Sequence, residues 1–172
     1  MPALKDKKIL ILVEDLYEDL EFWYPKIRLE EEEAIVTVAA PEKKTYRGKQ
    51  GMSVVPDILV SDVDSPRYDA LVIPGGYAPD RLRRSKQVLE LVRAFDAAKK
   101  VIATICHGGW VLISAKIVKG RHMTGFFAIK DDLENAGVLY HDEPVVIDGN
   151  LISSRSPADL PQFCRAIIEA LS

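Results

Sequence analysis

An α/β domain built on a mostly parallel sheet is the architecture that this sequence predicts, and three observations predict it. Four apolar runs of strand length, at residues 9–13, 35–40, 70–73 and 101–105, lack the polar alternation of a strand with one wet face. Segments of helical spacing lie between several of them, and strand and helix alternate over most of the chain. No repeat and no Pro/Gly-rich linker divides the 172 residues, so residues 1–172 read as one domain.

Each element follows from its residues. Ile9-Leu10-Ile11-Leu12-Val13 is continuous and β-rich, the mark of a strand covered on both faces. Residues 18–32 carry Leu20, Trp23, Tyr24 and Ile27 at helical spacing, with Pro25 to be absorbed in the first two turns. Residues 35–40 form the second strand. Gly48 and Gly51 bracket a turn, and residues 52–55 read as a hairpin arm. Ala70-Leu71-Val72-Ile73 is the third strand, stopped by Pro74-Gly75-Gly76. Leu82, Val88, Leu89, Leu91, Val92 and Phe95 place one helix over residues 82–98. The fourth strand, 101–105, runs into a helix over 108–115, and a short helix at 131–136 stops at Gly137. Residues 145–147 and 151–153 flank Asp148-Gly149-Asn150, a hairpin with a turn signature. The last helix starts near Pro157, with Leu160, Phe163, Cys164, Ile167, Ile168 and Leu171 stepping by three and four.

Hydrophobic residues make up 48% and charged residues 28%, which excludes a disordered or low-complexity chain. A formal net charge of -3 gives no electrostatic reason to expect a specific nucleic acid or an anionic membrane as partner. The 9–13 run is too short for a signal core or a membrane span. The two cysteines, Cys106 and Cys164, make neither a CxxC motif nor a disulfide scaffold, and a reducing cytoplasm is the expected compartment.

Cys106 is the most informative residue. It ends an apolar strand and directly precedes a helix, where open α/β sheets place their ligand sites. Thr104, Gly108 and Gly109 supply the small neighbours that a tight nucleophile elbow needs, and a helix start favours a thiolate, so a thiol pKa below the usual value is expected. The bland alternative is a small buried hydrophobe, the role that the helical stripe assigns to Cys164. His107 supplies an imidazole beside the thiol, although adjacent side chains at a helix start need not meet. The Gly75-Gly76 turn exposes backbone N–H groups that, with the His107 amide, suit an oxyanion. An acid from the loop after the first strand reaches the same crevice: Glu18 opens the helix there, and Glu14, Asp15, Asp19 and Glu21 compete with it. Arg81, Arg83, Arg84 and Lys86 read as a solvated patch. His141-Asp142-Glu143 is a metal-like trio by residue type, in a loop beside Pro144 where ordinary surface charge is the commoner outcome.

Taken together, Tyr17-Glu18-Asp19-Leu20-Glu21, Pro74-Gly75-Gly76, Ile105-Cys106-His107-Gly108 and Lys130-Asp131-Asp132 form an ordered series. Asn135-Ala136-Gly137, Asp148-Gly149-Asn150, Ser153-Ser154-Arg155 and Pro157-Ala158-Asp159-Leu160 continue it. From Lys8 to the C-terminus the chain resembles the PfpI-type intracellular protease and deglycase family of the class I glutamine-amidotransferase-like superfamily. The resemblance implies a flavodoxin-like three-layer sandwich and a nucleophile matching Cys106. It implies an acid hydrogen-bonded to the sulfur, matching Glu18, and because two close anions repel and burial favours the neutral acid, Glu18 is expected to be protonated when the sulfur is charged. It also implies a triad of Cys106 and His107 completed by Asp80 from a neighbouring subunit of a dimer or hexamer.

No metal or organic cofactor is implied. The implied substrate is a small reactive carbonyl or an early glycation adduct, handled by glyoxalase III-type or deglycase chemistry. An intracellular cysteine peptidase and a non-catalytic redox sensor or chaperone are the alternatives. The chain departs from the family pattern at Asp80, where Glu is frequent, and at Phe126, where peptidase relatives often carry Tyr in the substrate pocket. It also departs at Gly109, in place of Pro, and at Glu33, in place of a helix-ending Gly.

Overall fold

In the computed structural model, which describes residues 2–172, the four apolar runs become the centre of one sheet. The chain begins with β1 (Lys8–Leu12), α1 (Asp19–Glu31), β2 (Ile35–Ala40) and three two-residue strands, β3 (Tyr46–Arg47), β4 (Ser53–Val54) and β5 (Ile58–Leu59). Next come β6 (Ala70–Ile73), α2 (Ala78–Leu82), α3 (Lys86–Ala97), β7 (Val101–Ile105), α4 (Gly109–Ala115), β8 (His122–Met123) and α5 (Lys130–Asn135). The chain closes with β9 (Leu139–Tyr140), β10 (Val145–Asp148), β11 (Leu151–Ser154) and α6 (Leu160–Leu171).

Seven strands lie in the order β10-β11-β7-β6-β1-β2-β5, parallel throughout except for the antiparallel β10–β11 hairpin. Residues 9–12 of β1 and all of β6 are fully buried, as their unbroken apolar runs require. From β1 the chain steps to β2 on one side, and from β6 it steps to β7 on the other. Right-handed crossovers in opposite directions place α1 and α3 on opposite faces. Helix α1 packs with α6, and α3 packs with α4, which makes the three layers. The reversal of direction lies between β1 and β6, so the crevice at their carboxyl ends is the natural ligand position.

Three expectations change. The single helix over 82–98 is two: Leu82 closes α2, and Ser85 caps α3 by accepting a hydrogen bond from the Val88 amide at 3.3 Å. Helix 108–115 starts one residue later, because Cys106–Gly108 forms a 3-10 turn. The apolar face of α1 is also reassigned. Leu20, Tyr24 and Ile27 are exposed, and Phe22, Pro25 and Leu29 face the core. The helix carries two apolar stripes, and the inward one includes the proline. Strands β5, β8 and β9 have two residues each, too few for a periodic signal. No helix among the described residues is long and apolar enough to cross a membrane.

Candidate active site

Cys106 sits where β7 ends, with φ +59. That left-handed backbone is strained for any residue with a Cβ and turns the chain sharply into the following helix. Small residues make the turn possible. A Cβ on Gly108 would lie 2.1 Å from the Thr104 hydroxyl oxygen and 2.8 Å from the Ile73 carbonyl oxygen. The elbow expected from the sequence is therefore present.

Loops from the two neighbouring strands close over it. The Gly75-Gly76 turn leaves β6, and the 13–18 loop leaves β1. They are joined by backbone hydrogen bonds from the Glu18 N–H to the Gly75 carbonyl at 3.2 Å and from the Tyr77 N–H to the Leu16 carbonyl at 2.9 Å. A Cβ on Gly75 would stand 2.4 Å from Glu21 Oε2 and 2.8 Å from Cys106 Cβ. Glycine at this position is what lets the acid and the nucleophile share one space.

That acid is Glu21, not Glu18. Glu18 lies at the start of α1, where its largely buried side chain pairs with Lys49 at 3.1 Å. One turn further on, Glu21 is completely buried beside Phe22. Its Oε2 accepts the Gly75 N–H at 2.8 Å, and its Oε1 is buried without a hydrogen-bond partner of good geometry. Burial pushes the Glu21 carboxyl up to about 8, so it holds its proton at neutral pH. Because Oε2 is occupied as an acceptor, Oε1 is the oxygen that suits the proton, and the nearby Cys106 sulfur is its natural recipient. The protonated acid expected beside the sulfur is therefore present on a different residue.

The Cys106 thiol is pushed up, against the expectation from its place at a helix start. Burial is the largest cause, the Glu21 charge adds to it, and the N–H groups of His107 and Gly76 oppose it. The sulfur and the carboxyl ionise as a pair that accommodates one negative charge and resists two. Cys164, buried on α6, is pushed up to about 12 by burial.

The backbone donors divide their work. The N–H groups of His107 and Gly76 face the sulfur, whereas the Gly75 N–H is already given to Glu21. Gly75 therefore acts through close approach, and the oxyanion role falls to Gly76 and His107. The His107 ring does meet its neighbour, with Nδ1 at 3.2 Å from Cys106 Sγ. Burial first, and then the charge of Lys49, lower the His107 pKa, which keeps the ring neutral. Phe126 stacks on this imidazole with ring centroids 4.9 Å apart, and Trp110 packs edge-on at 5.1 Å. Phe126 thus packs against the imidazole and holds it in place.

Asp80 is not brought to His107 within the chain. It lies on α2 with a half-exposed carboxylate paired to Arg84. Of the site residues, Glu21 stood among the competing acids and was passed over for Glu18, and Lys49 escaped the sequence reading. Glu21 belongs to the Phe22–Pro25–Leu29 face, so its signal was a carboxylate on the inward stripe of α1. Lys49 arrives from the β3–β4 turn, with its ammonium 5.5 Å from the Tyr77 ring centre, and no local pattern announces it.

The sequence and the fold find counterparts in known proteins. The DJ-1/PfpI family model matches residues 7–170. The chain is 44% identical over 164 residues to Deglycase PfpI of Pyrococcus furiosus, covering 95% of this chain and 99% of that protein. It is 38% identical over 168 residues to Protein/nucleic acid deglycase 2 of Escherichia coli, covering 96% of this chain and 98% of the relative. Among solved structures, DJ-1beta of Drosophila melanogaster superposes with a TM-score of 0.91 at 30% identity, covering 96% of this chain and 90% of that one. With a family model over residues 7–170 and relatives 38–44% identical along nearly their whole length, the chain belongs to the DJ-1/PfpI family.

Proposed function

We propose that this protein is a cysteine-nucleophile enzyme that acts on small reactive carbonyls or on early glycation adducts. The observation that carries the reading is the buried carboxyl of Glu21, neutral at pH 7, packed through Gly75 against the elbow sulfur. The names of the Pyrococcus and Escherichia relatives support the same chemistry.

In this reading the Cys106 thiol gives its proton to Nδ1 of neutral His107 as the sulfur attacks the carbonyl carbon. The S–C bond forms, the carbonyl π pair moves to oxygen, and the N–H groups of Gly76 and His107 hold the resulting oxyanion. Glu21 gives that oxygen its proton. The carboxylate left behind is buried and strongly basic, which suits removal of a proton from the adjacent carbon during rearrangement. His107, neutral again after returning its proton to the rearranging substrate, takes a proton from the attacking water, a C–O bond forms as the S–C bond breaks, and the proton passes to the leaving sulfur.

Asp80 enters from a second copy of the chain. The exposed Leu20–Tyr24–Ile27 stripe and Tyr77, which is 62% exposed, supply apolar surface for such an association. A paired assay tests the function. Lactate formation from methylglyoxal, or release of amine from a glycated model compound, is expected in the wild type and is absent in Cys106→Ser. Cleavage of a fluorogenic peptide without carbonyl turnover would make the protein a peptidase. Peroxide-dependent client binding with no turnover would make it a redox sensor.

A further inference from the structure

The chain has three histidines, and the proposed chemistry uses one. The other two meet. His122 lies on β8, His141 follows β9, and the parallel β8–β9 pairing brings Nδ1 of His122 to 2.7 Å from Nε2 of His141. The ring centres are 5.0 Å apart, so the two rings face each other nearly end to end across one proton. Backbone contacts fix both residues. The His141 N–H donates to the Met123 carbonyl at 2.9 Å, and the His122 N–H donates to Asp148 Oδ2 at 2.7 Å. The trio His141-Asp142-Glu143 is not the cluster that forms, because Asp142 is engaged by Arg155 at 3.0 Å.

We propose that His122 and His141 form a two-imidazole site for a divalent transition metal, with Cu²⁺ and Ni²⁺ preferred over Zn²⁺. Two metal–nitrogen bonds of about 2.0–2.1 Å span about 2.9 Å when they meet at a right angle and about 3.3 Å at a tetrahedral angle. The spacing of 2.7 Å is nearer the first. Binding asks the rings to tilt and part by a few tenths of an ångström, and both lie at the surface, free to do so. In a neutral pair the facing proton moves through solvent to the outer nitrogen of the same ring, so both facing lone pairs become available and no proton is lost overall. Water fills the remaining positions, since no third side-chain ligand joins the pair among the described residues. The site pins β8 to β9 and is independent of the Cys106 chemistry.

The test uses untagged full-length protein in a Cys106→Ser background, which removes the thiol as a competing ligand. Titration with Cu²⁺ or Ni²⁺, followed by calorimetry and by the visible ligand-field spectrum, is expected to saturate at one ion per chain. His122→Asn and His141→Asn are each expected to weaken binding at least tenfold, and the double variant little further, because either loss already breaks the chelate. The metal should also raise the unfolding temperature of the Cys106→Ser protein and not that of the double variant. Binding that persists unchanged in either single His variant whose circular dichroism matches the parent overturns the proposal. A titration of the parent that never saturates overturns it as well.

Discussion

A neutral carboxyl beside the nucleophile decides which substitutions are informative at the scale of single residues. Glutamine at position 21 can accept the Gly75 N–H and donate to sulfur, but it cannot release a proton. Glu21→Gln is therefore expected to leave Cys106 alkylatable while lowering turnover by about 10²-fold or more. Glu18→Gln removes only the ion pair with Lys49 and should cost far less; steady-state kinetics of the two variants compares them. Stability carries the same signature. The Glu21 pKa is raised in the folded state from 4.5 to about 8, so its contribution is fully present at low pH and is lost as pH rises through the folded value. Urea unfolding at a series of pH values should show the wild type losing up to a few kcal/mol relative to Glu21→Gln as pH rises from about 5 to about 9. The elbow cysteine, its histidine and the glycine turn were all legible in the sequence, because strand ends and small residues mark them. The acid was not. Five carboxylates crowd residues 14–21, two of them, Asp19 and Glu21, are buried, and only the rotation of α1 about its axis turns Glu21 toward the sulfur while Asp19 accepts the Gln50 and Met52 N–H groups.

Helix α1 shows how an element can be placed correctly and turned wrongly. Its extent was readable, but Leu20, Tyr24 and Ile27 made a convincing stripe that proves to face outward. Pro25 lies in the buried face, where its missing N–H leaves the Glu21 carbonyl without its usual helical donor. The end of the same helix holds a second strained position. Glu33 has φ +63, in the left-handed region that favours glycine. Glu33→Gly is expected to stabilise the fold by about 0.5–1 kcal/mol, by relieving a backbone conformation that costs a residue with a Cβ. Chemical denaturation with an unchanged m-value would show it. The break between α2 and α3 escaped the pattern for a related reason: Leu82 and Val88 fit one helical stripe, and only the cap made by Ser85 separates them.

For the whole molecule, the parallel sheet was legible because unbroken apolar runs admit few other arrangements, whereas contacts between distant loops left no trace in any local window. Lys49 is one such contact, and the proposed approach of Asp80 to His107 of a second copy would be another. Subunit mixing tests the latter. Cys106→Ser and Asp80→Ala proteins, each inactive alone, are expected to regain a fraction of wild-type activity after subunit exchange, since some sites then combine an intact sulfur with an intact carboxylate. An active monomer by light scattering, or no recovery after verified exchange, would exclude a shared site. Cys106, His107, Gly75, Gly76 and Glu21 all follow the ends of three adjacent strands, β1, β6 and β7, whose interiors are sealed in the core. This arrangement separates what must be inherited unchanged from what is free to vary. Substitutions in the loops that form the walls can retune which carbonyl compound is admitted, while the strands that hold Cys106 and Gly75 in register keep the chemistry constant.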